Sequence, residues 1–211
     1  MKRLAFVVVL VLVAFASCNR THNYIIPVDY EKYYEGVTSL TEEESQELTH
    51  NISMAWYNNT IGKEIPDIKV KTIDGKEVRL KKLLKGETVL IFSEPYCGWG
   101  GEEVETAFPA TLRNMKDELE GIDILCLIGL FEDADLQETI DFAKSLQDKY
   151  EKIYLIEQKD AMRTNLTGSP TKFFIDKEQI VRHIQMGFAL DGRSEEVIRQ
   201  GVSLMRKEKQ Q

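Results

Sequence analysis

Cysteine is scarce in this chain: Cys18, Cys97 and Cys126 are the only three among 211 residues. So few thiols exclude a disulfide scaffold. Histidine is also too sparse for chelation, because His22, His50 and His183 fall in different elements without ligand spacing. No metal site or other cofactor is expected, and each reads as a surface histidine. Positive charge is in deficit. The formal charge is −8, and loss of a leader carrying Lys2 and Arg3 takes it to −8 − 2 = −10. With no basic stripe, that balance argues against nucleic acid as a partner. Internal repeats and low-complexity tracts are lacking too. What is present, 43% hydrophobic and 29% charged residues, suits one compact domain with extensions.

The one long apolar run lies at the start, in MKRLAFVVVLVLVAFASC. Two cations, an uncharged run from Leu4 to Ala16 and then small residues make a secretory signal, too short for a mature spanning helix. Its end admits two cleavage readings. Ala14-Phe15-Ala16 suits an ordinary signal peptidase. Phe15-Ala16-Ser17-Cys18 resembles the lipobox of bacterial lipoproteins, with Phe15 where Leu is usual, and that resemblance implies lipidation of Cys18. The lipoprotein reading is favoured because the cysteine stands where the apolar run stops. Residues 1–17 are then the signal peptide, 18–60 a tether and amphipathic helix, and 61–211 the main domain.

Within the extension, Asn19 to Gly36 is polar and rich in tyrosine (Tyr24, Tyr30, Tyr33, Tyr34), a tether or a strap over the domain. Thr41-Glu-Glu-Glu44 is a capping box, and Leu48, Ile52, Ala55 and Trp56 follow at helical spacing. Asp67 to Ile73 alternates like a strand, Asp74-Gly75 marks a hairpin turn, and Glu77 to Leu80 returns. Thr88 to Phe92 and Ile122 to Leu130 are continuous apolar runs, as strands buried on both faces require. Between them a helix carries Val104, Phe108, Leu112, Met115 and Leu119 on one face. Asp135 caps a helix whose face is Leu136, Ile140, Ala143 and Leu146. A strand over Lys152 to Ile156, a helix over Asp160 to Leu166, a hairpin of Lys172 to Ile175 with Ile180 to Ile184, and a helix over Ser194 to Lys207 complete the order. This is an α/β fold with a mixed central sheet flanked by helices.

That order, with a cysteine ending the first buried strand and a proline before the last hairpin, resembles the thioredoxin-like superfamily. Its TlpA-like and ResA-like exported thiol-disulfide oxidoreductases match best. Ile61 to Asp67 with Thr72 to Lys76 is similar to their opening "IGxxxPDF…DGK", and Thr88 to Cys97 to their "VLVNFWATWC", with Tyr96 in place of Trp. Glu103 matches the acid of their "CxxCxxE", and Gly168-Ser169-Pro170-Thr171 to Asp176 matches "GxPTTFLID", whose proline is cis. The resemblance implies a thioredoxin-like fold with an N-terminal β-hairpin and helical extension, Cys97 as nucleophile and Glu103 as its proton acceptor. It also implies a substrate groove of Tyr96, Trp99, Ser169 and Pro170. Two positions depart from it. Gly100 stands where the second cysteine belongs, and Glu105 where the helix proline belongs, with Pro109 four residues later.

A lone thiol lacks the internal release that a second cysteine supplies. Cys126 is a poor substitute. It lies about four residues before its strand's end, roughly 10 Å or more from the helix start at ~3.3 Å per residue, and a disulfide needs Cα atoms within about 7 Å. It reads as a small core residue. For Cys97, free N–H groups at a helix start favour thiolate, while Glu94, Glu102 and Glu103 oppose it and three nearby glycines weaken the first turn. Two functions follow. One is a monothiol oxidoreductase in envelope redox homeostasis, taking exported protein thiols or disulfides, with a low-molecular-weight thiol as resolving reductant and a lipid anchor holding it to the bacterial envelope, facing the periplasm. The other is a catalytically degenerate binding or structural module. A one-cysteine peroxidase is disfavoured: peroxiredoxins keep Thr or Ser three residues before the reactive cysteine and Pro four earlier, where this chain has Glu94 and Leu90.

Overall fold

The structure is a computed structural model and describes residues 23–95, 97–131, 135–166, 168–187 and 193–206. The expected signal peptide, Cys18, His22 and Tyr96 lie outside the described residues, as does the side chain of Trp99.

Among the described residues, seven strands form one sheet in the order β2-β1-β5-β4-β3-β6-β7. The central pair is β3 (Thr88–Ser93) and β4 (Asp123–Leu130), parallel to each other, with β5 (Ile153–Glu157) parallel on the outer side of β4. Every residue of β3 is buried, which is what its unbroken apolar run demanded. β6 (Thr171–Ile175) runs antiparallel to β3 and β7 (Val181–Met186) antiparallel to β6, so the sheet is mixed, as expected. The opening hairpin, β1 (Lys69–Lys71) and β2 (Glu77–Arg79), is shorter than its alternation suggested and meets β5 through one antiparallel register pair, Lys71 with Leu155. Gly75 turns this hairpin with φ of 84°, a conformation glycine adopts without a Cβ penalty.

Each face of the sheet covers its own core. One holds Leu90, Phe92, Leu125, Leu127 and Phe173; the other holds Val89, Ile91, Cys126, Ile128 and Phe174, the alternation of a two-sided sheet. On the second face lie the helices that follow β3, the helix Leu136–Ser145 and the closing helix Ser194–Arg206. Asp135 caps the helix Leu136–Ser145 by accepting from the N–H groups of Gln137 and Glu138. Leu136, expected on its buried face, is 58% exposed: it shares the spacing of the buried Thr139 and Ala143, three and seven residues on, but sits in the first turn without a neighbour to cover it.

The first face explains the N-terminal extension. Its long helix, Glu42–Thr60, begins at the capping box of Thr41 and Glu44 and buries only Trp56 and Thr60. Ile25, Val28 and Trp56 share a buried cluster with Ile65, Leu90 and Phe173. The anchor is Asn165, fully buried at φ of 55° in the loop after the helix Gln158–Arg163. Its carbonyl accepts from Trp56 Nε1 at 2.7 Å. Its side chain donates to the Ile26 carbonyl and Thr60 Oγ1 and accepts from the Val28 N–H, each at 2.9–3.0 Å. The residues from Asn23 onward are therefore a strap, held also by backbone bonds between Ile25, Asn23 and Glu64. No helix among the described residues is long and apolar enough to cross a membrane.

Candidate functional site

β3 ends at Ser93, and the chain turns through Glu94 and Pro95 before Cys97. The Cys97 N–H donates to the Glu94 carbonyl at 3.2 Å, and the Cys97 carbonyl accepts from Gly101 N–H at 2.8 Å. This starts a short helix, Gly98–Glu102, despite its glycines. The thiol is partly exposed, and its sulfur donates to the Ser169 carbonyl at 3.5 Å. Ser169 precedes Pro170, and the bond between them is cis. The structure thus brings together three of the expected residues, Cys97, Ser169 and Pro170; Ser169 is half-buried and Pro170 is buried.

The space beside Gly100, where the resemblance expects a second cysteine, is not empty. A Cβ built on Gly100 would lie 2.0 Å from Ser169 Oγ, 2.9 Å from Ser93 Oγ and 3.3 Å from Ser169 Cβ. Ser169 Oγ occupies the volume because it accepts from the Glu94 N–H at 3.0 Å and lies 3.5 Å from the Ser93 hydroxyl. Ser169 therefore meets the loop twice, with its carbonyl on Cys97 and its hydroxyl under Gly100.

Beyond Glu102 the helix widens into one turn of π-helix, Glu103–Ala107, and then resumes as Phe108–Asn114. The Phe108 N–H reaches back five residues to the Glu103 carbonyl. Pro109 follows at once, and its ring and missing N–H disfavour a regular α bond to the carbonyl four residues earlier. The displaced proline thus coincides with a local break, at a kind of turn common at functional sites.

Glu103 is the acid expected beside the thiol. It is fully buried, and Lys172 Nζ stands 2.5 Å from its Oε1. Beyond that ion pair, neither carboxylate oxygen nor the ammonium has a hydrogen-bond partner among the described residues. Lys172 is 1% exposed on β6, with its ammonium 5.4 Å from the centroid of the Phe108 ring. Burial pushes the Lys172 pKa down, and Glu103 pulls it back only in part. Burial also raises the pKa of Glu94 on the loop side. Lys172 escaped the sequence reading. A lysine inside the run Thr171–Ile175, all of it buried, was the available signal, since a buried charge needs a partner.

Cys126 is a free thiol in the core, fully buried, with its pKa pushed up by desolvation, as a packing residue should be. Tyr150, whose hydroxyl donates to the Val104 carbonyl at 2.9 Å, is likewise pushed up, chiefly by burial. His50 is exposed. His183 departs from the surface expectation: it is half-buried on β7, its ring 5.5 Å from that of Phe174.

No family model matches this chain, and no curated protein does. Solved structures do. A candidate protein disulfide isomerase from Bacteroides thetaiotaomicron superposes with a TM-score of 0.52 at 20% identity, over 71% of this chain and 92% of that one. A candidate thiol:disulfide interchange protein DsbE from Chlorobium tepidum gives 0.50 at 20% identity, over 69% and 97%. A thiol:disulfide interchange protein from Bacteroides sp. gives 0.50 at 16%, over 67% and 87%. Together with the mixed sheet and its flanking helices, these likenesses establish that the chain has the thioredoxin-like fold.

Proposed function

We propose that this protein is an exported thiol-disulfide oxidoreductase that works with a single cysteine, anchored by lipid at Cys18 and facing the periplasm. The observation that carries the reading is the pairing of a partly exposed Cys97 thiol with the Ser169 carbonyl, next to cis-Pro170. The leader sequence and the fold's occurrence in disulfide-handling proteins support it further.

The exchange proceeds in two steps. The Cys97 thiolate attacks one sulfur of a partner's disulfide, forming a mixed disulfide while the partner's other sulfur leaves as thiolate. A low-molecular-weight thiolate from outside then attacks the partner's sulfur in that mixed disulfide, and Cys97 leaves as thiolate. Gly100 offers no internal nucleophile, so the second step is intermolecular. Tyr96 and Trp99 are assigned to the groove with Ser169 and Pro170, and Glu103, six residues along the chain from Cys97, to acceptance of the thiol proton.

The test is alkylation of Cys97 against pH, with Cys97→Ser as blank, together with reaction against glutathione disulfide. A midpoint below the unperturbed value of ~8.5 and a mixed disulfide on Cys97 are expected. A midpoint at or above that value with no mixed disulfide would leave the binding-module reading in its place.

A further inference from the structure

The exchange above gives no role to Lys172. Yet Lys172 and Glu103 place two opposite charges, each almost wholly out of water, against one another with no other hydrogen-bond partner among the described residues. Such a pair is a poor way to stabilise a core, because well-packed apolar residues of similar volume often do as well or better. Its position is informative. Glu103 lies on the helical segment that Cys97 begins, at the π-turn, and Lys172 lies on the strand that follows Ser169 and Pro170. The ion pair therefore fastens together, from inside, the two segments whose outer ends meet as Cys97 Sγ and the Ser169 carbonyl. The other titratable groups around it are Tyr150 and Cys126, both kept neutral by burial, and Glu94 and Glu102 on the loop side.

We propose that Lys172 is a positioning residue for the Cys97 thiol. Its ammonium cancels the buried charge of Glu103, so that no uncompensated carboxylate beneath the loop opposes ionisation of Cys97, and it ties the Ser169 segment to the Cys97 helix. The proposal rests on the reading of Cys97 as a working thiol and adds the group that sets its charge environment. Without Lys172, Glu103 adds to the acidic surroundings; without Glu103, the buried ammonium acts on the thiol alone.

The experiment measures the rate of iodoacetamide alkylation of Cys97 against pH on the purified protein, its K172M and E103Q variants and the double variant, with thermal melts of each. K172M is expected to raise the midpoint by about one pH unit and E103Q to lower it by a smaller amount, as expected for a nearby charge removed from either partner. The double variant returns toward the parent. Both single variants also melt lower, but a purely structural pair would move the melts alone. Midpoints agreeing within about 0.2 unit across the folded variants, or single variants moving the same way, overturn the proposal. If K172M does not fold, E103Q against the double variant decides, because the double must titrate higher. Failure of the parent to form a mixed disulfide sinks the oxidoreductase reading instead, whatever the variants do to the midpoint.

Discussion

Replacing Gly100 tests whether Ser169 has taken over the space of a second cysteine. At an ordinary helical position, Gly→Ala stabilises by about 1 kcal/mol. Here the new methyl would stand 2.0 Å from Ser169 Oγ, so the hydroxyl must rotate out. In leaving, it abandons the Glu94 N–H that it accepts from at 3.0 Å, and a shielded N–H without a partner costs about 1–3 kcal/mol. Crowding against Ser93 Oγ at 2.9 Å and Ser169 Cβ at 3.3 Å remains and adds about 1 kcal/mol, the low end for overpacking. Net of propensity, Gly100→Ala should destabilise by roughly 1–3 kcal/mol. Ser169→Ala loses the same hydrogen bond alone. In that background Gly100→Ala has no bond left to break, and the crowding against Ser93 Oγ and the Cβ of residue 169 offsets the gain in propensity, so its effect falls to about zero, and the cycle shows a favourable coupling of about 1–3 kcal/mol. Urea denaturation of the four proteins measures it. Stabilisation by Gly100→Ala alone, or a coupling below about 0.5 kcal/mol, would refute the account. The chemical counterpart uses Gly100→Cys. Oxidation should close an internal disulfide faster when Ser169→Ala is also present, read by mass as the loss of two hydrogens.

Two further outcomes follow from the packing. Asn165→Ala strips the Val28 N–H and the Ile26 carbonyl of their buried partner and places an alanine at φ of 55°. At about 1–3 kcal/mol per orphaned group plus ~1–2 for left-handed backbone, the loss should reach about 3–8 kcal/mol; Asn165→Gly should recover about 1 kcal/mol of it, and urea melts that differ from the parent by less than about 1 kcal/mol would remove Asn165 as the anchor. His183 is held below its usual pKa of 6.5 by burial, so the unfolded chain takes up the proton first. Its contribution is intact above pH 6.5 and declines as pH falls from there toward the depressed folded value. Stability measured between pH 8 and pH 5 should therefore fall less steeply in His183→Gln, and an unchanged slope would discount the histidine.

The layers of the fold were legible because their signals are local. Apolar runs with no polar interruption became β3 and β4, and side-chain oxygens three residues ahead of a helical stripe became the caps at Thr41 and Asp135. Leu136 was misjudged for the opposite reason, since a first-turn leucine fits the stripe by spacing whether or not a neighbour is there to cover it. Where the Glu42–Thr60 helix docks could not be read at all. Its contact depends less on a stripe than on Trp56, Thr60 and the amide of Asn165, more than a hundred positions along the chain, and one hydrogen-bonding residue in a left-handed loop has no period to find.

The site was legible in the same uneven way. Cys97, Ser169 and Pro170 could be placed together by motif, and the structure joins them. What motif reading misses is how neighbours respond to a changed residue. Gly100 reads in sequence as a subtraction, yet in space it is an exchange: the volume released by one side chain is held by the hydroxyl of Ser169, and the Glu94 N–H is satisfied by it. Glu103 likewise reads as one more acid near a thiol until Lys172 is seen against it. Both neighbours come from the short stretch around Pro170, one on each side of it. The surroundings of Cys97 are therefore set by that stretch as much as by its own loop. Ser169 fills the space that a side chain at Gly100 would need, and Lys172 answers the buried carboxylate of Glu103.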